Sequence, residues 1–254
     1  MLVAERQRKI VELVNKRSSI RVTELSKIFS VTEETIRRDL EKLEKNNMLH
    51  RSHGGAVSIE KEQVEIPYTE REITKSEEKK SIAAAAISLV QPGEQIILDA
   101  SSTAWYMAVQ LPDIPLTVIT NSIKVSIELS KKEQIRVIST GGNLLPRSLS
   151  FVGPLAERSL SMYHVNKAFI SCKGIHIESG LNEVNELQAI LKTKMMNIAE
   201  QTIVMADSSK FGIRSFVQVA PLTEVQQIIT DSQIPDEYKR SIIEKNIKLK
   251  TVEA

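Results

Sequence analysis

Residues 32–56, TEETIRRDLEKLEKNNMLHRSHGGA, decide how this chain is to be read. Ile36, Leu40 and Leu43 recur at i, i+4 and i+7, which puts them on one face of a helix. Arg37 and Arg38 follow Ile36 directly and turn away from that face or along its edge. Thr32 stands where a helix start needs a capping hydroxyl. Upstream, Ile10, Leu13 and Val14 form one apolar triplet at helical spacing. Leu25, Ile28 and Phe29 form a second, with Thr23 as its expected N-cap and Ser30-Val31 as the connection to the third helix. Ile20-Arg21-Val22 and Leu49-His50-Arg51-Ser52 are strand-like and are expected to pair as a small wing. Three short helices with a tight turn between the last two make a helix-turn-helix unit. Guanidinium groups on the exposed flank of its third helix suit the DNA major groove, where arginine pairs with guanine edges or clamps phosphates. The candidate DNA contacts are Thr32, Glu33, Glu34, Thr35, Arg37, Arg38, Arg51 and His53.

Charge follows the same division. Residues 1–58 hold twelve Lys and Arg against eight Asp and Glu, while the remainder holds 22 against 24. Basic charge is thus concentrated in the small N-terminal unit, where phosphate contact needs it. The excess is modest, so useful affinity requires a homo-oligomer, dimer or tetramer, gripping repeated half-sites.

With 254 residues, 41% of them apolar, the chain has room for one small and one medium domain. No run of 18 apolar residues suggests a membrane span, and MLVAERQRKI lacks the apolar core of a signal peptide. A single cysteine, Cys172, excludes an intramolecular disulfide framework and fits a reducing cytoplasm. It lies beside Ala168-Phe169-Ile170 and reads as a packed residue. Four histidines without a carboxylate or cysteine cluster at ligand spacing give no metal site, and no cofactor is called for.

Three divisions are expected: a winged helix-turn-helix domain at 1–57, a charged linker carrying Pro67 at 58–75, and an α/β domain at 76–254. In the last, short apolar strands alternate with helices: strands at 95–99, 116–120, 135–140, 167–171, 202–206 and 227–230, with a strong helix at 185–201. The apolar side of that helix is expected to be Leu187, Ile190, Leu191, Met195 and Ile198. Such alternation implies a largely parallel sheet covered on both faces, with ligands beyond the carboxyl ends of the strands. Polar residues collect at those ends. Ser101, Ser102 and Thr103 open a helix and form a candidate anion site, and Lys210 supplies a compensating charge from a glycine-ended loop. Asp99, Thr120, Asn121, Gly141, Gly142, Lys173 and Glu183 complete the candidate effector set.

The run T-x-x-T-I-R-R-D-L-x-x-L-E, followed by H-R-S-H-G-G-A, resembles the DNA-binding signature of the DeoR family of bacterial transcription regulators. Thr32 stands where the family often has Ser, and Asn46-Asn47 where it often has Gly. The second domain resembles the family's effector domain. Asp99-Ala100-Ser101-Ser102-Thr103 matches D-x-G-[ST]-T with Ser101 in place of Gly, and Thr120-Asn121, Gly141-Gly142 and Ser209-Lys210-Phe211-Gly212 match T-N, G-G and S-K-F-G. The resemblance implies a sensor fold like ribose-5-phosphate isomerase and an effector that is a phosphorylated sugar or polyol. It further implies a non-enzymatic regulator of double-stranded operator DNA, a repressor of a sugar-catabolic operon. The alternative is an active sugar-phosphate isomerase or deaminase fused to a DNA-binding module.

Overall fold

A computed structural model describes residues 3–17, 19–46, 48–52, 54–57 and 65–253. The chain divides into two compact units, Met1–Glu65 and Ile66–Ala254. The expected linker is therefore shorter than 58–75: residues 66–75 belong to the second unit, and 58–64 lie outside the described residues.

The first unit runs α1 (Val3–Arg17), β1 (Ser19–Arg21), α2 (Val22–Phe29), α3 (Glu33–Lys45), β2 (His50–Ser52) and β3 (Gly55–Val57). Its core gathers Ile10, Val14, Leu25, Ile36, Leu40, Leu43 and Leu49. Leu13 is only half-buried and Ile28 is exposed, so the two upstream triplets are each incomplete in the core. Thr32 caps α3, its hydroxyl accepting from the Thr35 amide at 3.2 Å. Thr23 does not cap α2. That helix starts two residues earlier, at Val22 after Arg21, and the Val22 amide donates to the Gly54 carbonyl at 2.8 Å. The wing also differs from expectation. β1 and β2 do not pair with each other; each pairs antiparallel with β3, through Ile20–Ala56 and Arg51–Ala56. Gly55 makes this possible, since a Cβ there would drive into the Ile20 carbonyl oxygen.

The second unit begins with α4 (Tyr68–Ile73) and α5 (Ser76–Ile87), then β4 (Gln95–Leu98), α6 (Ser102–Gln110), β5 (Leu116–Thr120), α7 (Ile123–Leu129) and β6 (Ile135–Ser139). A hairpin of β7 (Asn143–Leu145) and β8 (Ser150–Val152) leads to α8 (Pro154–Leu160) and β9 (Val165–Ile170). After β10 (Gly174–His176) and β11 (Gly180–Glu183) come α9 (Glu186–Asn197) and β12 (Ala199–Met205). β13 (Val217–Ala220), β14 (Gln227–Asp231), α10 (Asp236–Glu244) and β15 (Lys248–Val252) finish the chain. Seven strands form a wholly parallel sheet in the spatial order β6, β5, β4, β9, β12, β14, β15. Alternate residues along one strand enter opposite cores. Ile97 and Ile170 join α8 and α9 on one face, and Ile96, Leu98 and Phe169 join α5, α6 and α7 on the other. Burial on both faces explains why these strands read as continuous apolar runs. The strand order reverses between β4 and β9, which is where ligands enter folds of this topology.

Two local expectations are corrected. The helix expected to reach residue 201 ends at Asn197, and 199–201 start β12, where Ala199 and Gln201 pair with Val165 and Lys167. Its buried stripe is Gln188, Ala189, Leu191, Lys192, Met195 and Met196, while Leu187 and Ile190 are exposed. Helix rotation follows the packing against α8, β11 and β13 rather than the residues of highest apolarity.

Candidate functional sites

On α3 the core residues Ile36, Leu40 and Leu43 fix the helix rotation, which leaves Arg37 and Arg38 exposed. Arg37 Nη2 lies 2.9 Å from Glu33 Oε2, and Arg38 Nε lies 3.5 Å from Glu34 Oε1. The acidic residues of the first turn therefore hold the guanidinium groups in the absence of a competing anion. Exposed pairs of this kind are worth about 0.3–0.5 kcal/mol, so a phosphate or guanine edge displaces them at little cost. Thr32 and Thr35 share a hydroxyl hydrogen bond of 2.9 Å at the helix start. Arg51 is exposed on the wing, its amide donating to Glu44 Oε1 at 2.7 Å. His53 lies outside the described residues.

What fixes α3 to α1 was not among the expected features. Asp39 is buried, accepting from Arg6 Nε at 2.6 Å and from Gln7 Nε2 at 2.9 Å. It sits between Ile36 and Leu43 on the buried stripe, so a charge in an apolar stripe was the signal available in the sequence.

In the second unit, Asp99 ends β4 at the reversal of strand order. Its Oδ1 accepts from the Ser101 amide at 3.1 Å and its Oδ2 from the Ser171 amide at 2.9 Å, bridging the ends of β4 and β9. Ser101 Oγ caps α6 by accepting from the Ala104 amide at 3.0 Å, which places Ser102 and Thr103, both buried, in the first helical turn. Thr120 Oγ1 accepts from the Ser122 amide at 3.0 Å and closes a local turn at the end of β5. Asn121 donates Nδ2 to the Phe151 carbonyl at 3.0 Å, while its buried Oδ1 has no partner. Gly141 and Gly142 follow β6. A Cβ on Gly142 would meet the Val152 carbonyl oxygen at 2.6 Å, so close packing on β8 accounts for that glycine.

The cation at the centre is Lys192, which sequence reading missed. Its Nζ lies 2.5 Å from Glu183 Oε1 and 3.1 Å from Asp99 Oδ2, and donates to the Ser171 carbonyl at 2.5 Å. Burial by itself would lower its pKa, but Glu183 and Asp99 outweigh that and raise it, so the ammonium stays charged. Like Asp39, Lys192 interrupts an apolar stripe, between Ala189 and Met196. The neighbouring Cys172 thiol is pushed up to about 12, first by burial, and feels the charges of Lys192, Glu183, Lys210 and Asp99. Glu183 and Asp99 thus meet through the Lys192 ammonium. Lys210, half-buried, closes a short 3-10 turn, Ser208–Lys210, capped by Asp207. Lys173 is half-buried, its amide donating to the Asn182 carbonyl at 2.9 Å.

Comparison with known proteins matches residues 6–62 to the DeoR-like helix-turn-helix domain and residues 74–232 to the DeoR C terminal sensor domain. The chain belongs to the DeoR family. It is 62% identical to the HTH-type transcriptional regulator YulB of Bacillus subtilis over 252 residues, 99% of this chain and 98% of that one. It is 39% identical to the L-fucose operon activator of Haemophilus influenzae (91% and 93% covered) and 37% identical to the HTH-type transcriptional repressor GlcR of Bacillus subtilis (97% and 95%). Among solved structures it is similar to ribose 5-phosphate isomerase A of Methanocaldococcus jannaschii, with 18% identity, TM-score 0.41 and 54% and 55% of the two chains covered. Like other members of the DeoR family, the chain is a DNA-binding transcriptional regulator. No helix among its described residues is long and apolar enough to cross a membrane.

Proposed function

We propose that this DeoR-family regulator represses a sugar-catabolic operon and leaves its operator when a phosphorylated sugar or polyol binds the second unit. One observation carries the reading: Asp99, Lys192 and Glu183 converge at the reversal of strand order, beside a capped helix start at Ser101–Thr103, with Lys210 on the turn that follows β12. The helix start and Lys210 suit a phosphate, while the carboxylates and Asn121 Oδ1 suit sugar hydroxyls. Thr120, Gly141, Gly142 and Lys173 frame the same strand ends. The names of relatives, a repressor and an operon activator for a sugar among them, agree with a sugar-operon role. Release is linkage: the effector shifts the equilibrium only by its differential affinity for the two states of a homo-oligomer.

Binding without turnover fits the chemistry. Lys192 is held charged by two carboxylates and a carbonyl, which makes it a poor base and nucleophile. The experiment is calorimetry with phosphorylated and unphosphorylated forms of the same sugars against wild type and Lys210→Ala. A charge-assisted hydrogen bond of about 1.5–3 kcal/mol predicts a loss of about ten-fold to a hundred-fold, confined to the phosphorylated ligand. Equal losses for both forms would refute phosphate binding by Lys210, and turnover of any ketose or aldose phosphate would refute the non-catalytic reading.

A further inference from the structure

Helix α4 lies in the stretch that the sequence presents as linker, and it carries two buried polar atoms with nothing to bond. Tyr68 is 1% exposed, and its hydroxyl has no hydrogen-bond partner. Arg71 donates Nε to the Ile66 carbonyl at 3.1 Å and lays its guanidinium 5.5 Å from the Tyr68 ring centre. Its Nη2 is nevertheless buried without a partner. Buried donors are ordinarily satisfied, and a charged one left unmatched is costly. Glu72, the neighbouring carboxylate, is committed to Lys124 at 3.2 Å.

The surroundings connect α4 to the strand-end site. Lys79 of α5 donates to the Arg71 and Thr74 carbonyls at 2.5 and 2.6 Å, fastening the C-terminal end of α4. Its pKa falls to about 8, first through burial, with Lys210 and Arg71 adding to the fall and Asp207 opposing it. Tyr106 of α6 donates its hydroxyl to the Glu72 carbonyl at 3.1 Å and Lys124 of α7 pairs with the Glu72 carboxylate, so α4 packs on the two helices that follow β4 and β5. Tyr68 also lines an open cavity of about 270 Å³ with Pro67, Thr69, Pro146, Arg147 and Leu149.

We propose that Arg71 and Tyr68 are ligands for the anionic group of the effector, Arg71 donating Nη2 to a phosphate oxygen and Tyr68 donating its hydroxyl to the same group. This rests on the strand ends being the sugar-phosphate site, and adds to it the first helix of the second unit. α4 starts two residues after Ile66, where the second unit begins.

The test uses the full chain and inorganic phosphate as the probe, at constant ionic strength set with chloride. Calorimetry well below the melting temperature gives the dissociation constant, and the rise in Tm gives a second reading. Wild type is expected to bind phosphate, with Arg71→Gln and Lys210→Ala each weakening it about ten-fold to a hundred-fold. Arg71→Lys keeps the charge but loses the fork, and should recover part of the loss. Tyr68→Phe, which keeps the buried ring, should lose less than Arg71→Gln. If Arg71→Gln fails to fold, Arg71→Lys and Tyr68→Phe decide the matter, since wild-type affinity in both overturns the proposal. Loss in Lys210→Ala with wild-type binding in Arg71→Gln overturns the role of α4 and leaves the strand-end site standing. Absence of phosphate binding in wild type, or wild-type binding in every variant, overturns both.

Discussion

Replacing Asp39 with Ala should unfold or nearly unfold the first unit and leave the second untouched. Arg6 and Asp39 meet at 2.6 Å with side chains only 10% and 5% exposed, and Gln7 bonds the other carboxylate oxygen. Removing the carboxylate strands a buried guanidinium, which costs about 3–5 kcal/mol. A unit of this size has about 3–10 kcal/mol of stability at roughly 0.05–0.15 kcal/mol per residue, so the loss takes most of it. With a urea slope of about 1 kcal/mol/M, the midpoint should fall by about 3 M, or the unit should be unfolded in buffer. The chain provides its own control. Its one tryptophan, Trp105, lies on α6 of the second unit, so Trp fluorescence follows that unit while far-UV circular dichroism follows both. The dichroism transition should move and the fluorescence transition should stay. A paired change, Arg6→Met with Asp39→Leu, removes both charges and should restore much of the stability, because a well-packed apolar pair often replaces a buried ion pair without loss. A shift below about 1 kcal/mol for Asp39→Ala, or an equal shift in Trp105 fluorescence, would refute this account of what fixes α3 to α1.

Arg37→Ala with Arg38→Ala should leave both folding transitions within about 0.5 kcal/mol of wild type, since only exposed ion pairs are lost. Each lost contact should cost about 1–3 kcal/mol in operator affinity, and lost phosphate contacts should flatten the salt dependence. Unchanged anisotropy titrations at physiological salt would remove these residues from the interface. Lys79 gives a pH signature. Its pKa falls from 10.5 to about 8 on folding, chiefly by burial, so between those values the unfolded chain binds more protons and stability rises with pH. Lys79 alone contributes about 3 kcal/mol at 1.36 kcal/mol per unit, read as the difference in Trp105 melting between wild type and Lys79→Met across that range. Burial lowers Lys132 with the same sign but raises the Cys172 thiol toward about 12, which opposes the rise at the upper end of the range, so that difference isolates Lys79. A wild-type pH slope in that variant would contradict a depressed Lys79.

Much of this protein follows from local pattern. The stripe Ile36, Leu40, Leu43 and the capping hydroxyl of Thr32 determine α3 and which way Arg37 and Arg38 face, because a 3.6-residue period and one cap leave little freedom. The apolar strands from Gln95 to Asp231 determine a parallel sheet covered on both faces, because only such burial tolerates unbroken apolar runs. Other features exist only once distant segments meet. β3 is three residues long and becomes a strand because β1 and β2 arrive on either side of it. Tyr68 and Arg71 read as a polar linker until α5 and the β7–β8 hairpin bury them. Asp39 and Lys192 stand on apolar stripes, where sequence shows a charge but not its partner. Arg6 lies 33 residues from Asp39, and Asp99 lies far upstream of Lys192. Burial of a charge is favourable only with its partner in place, so tertiary structure alone decides whether such a residue is a defect, a fastening or a site.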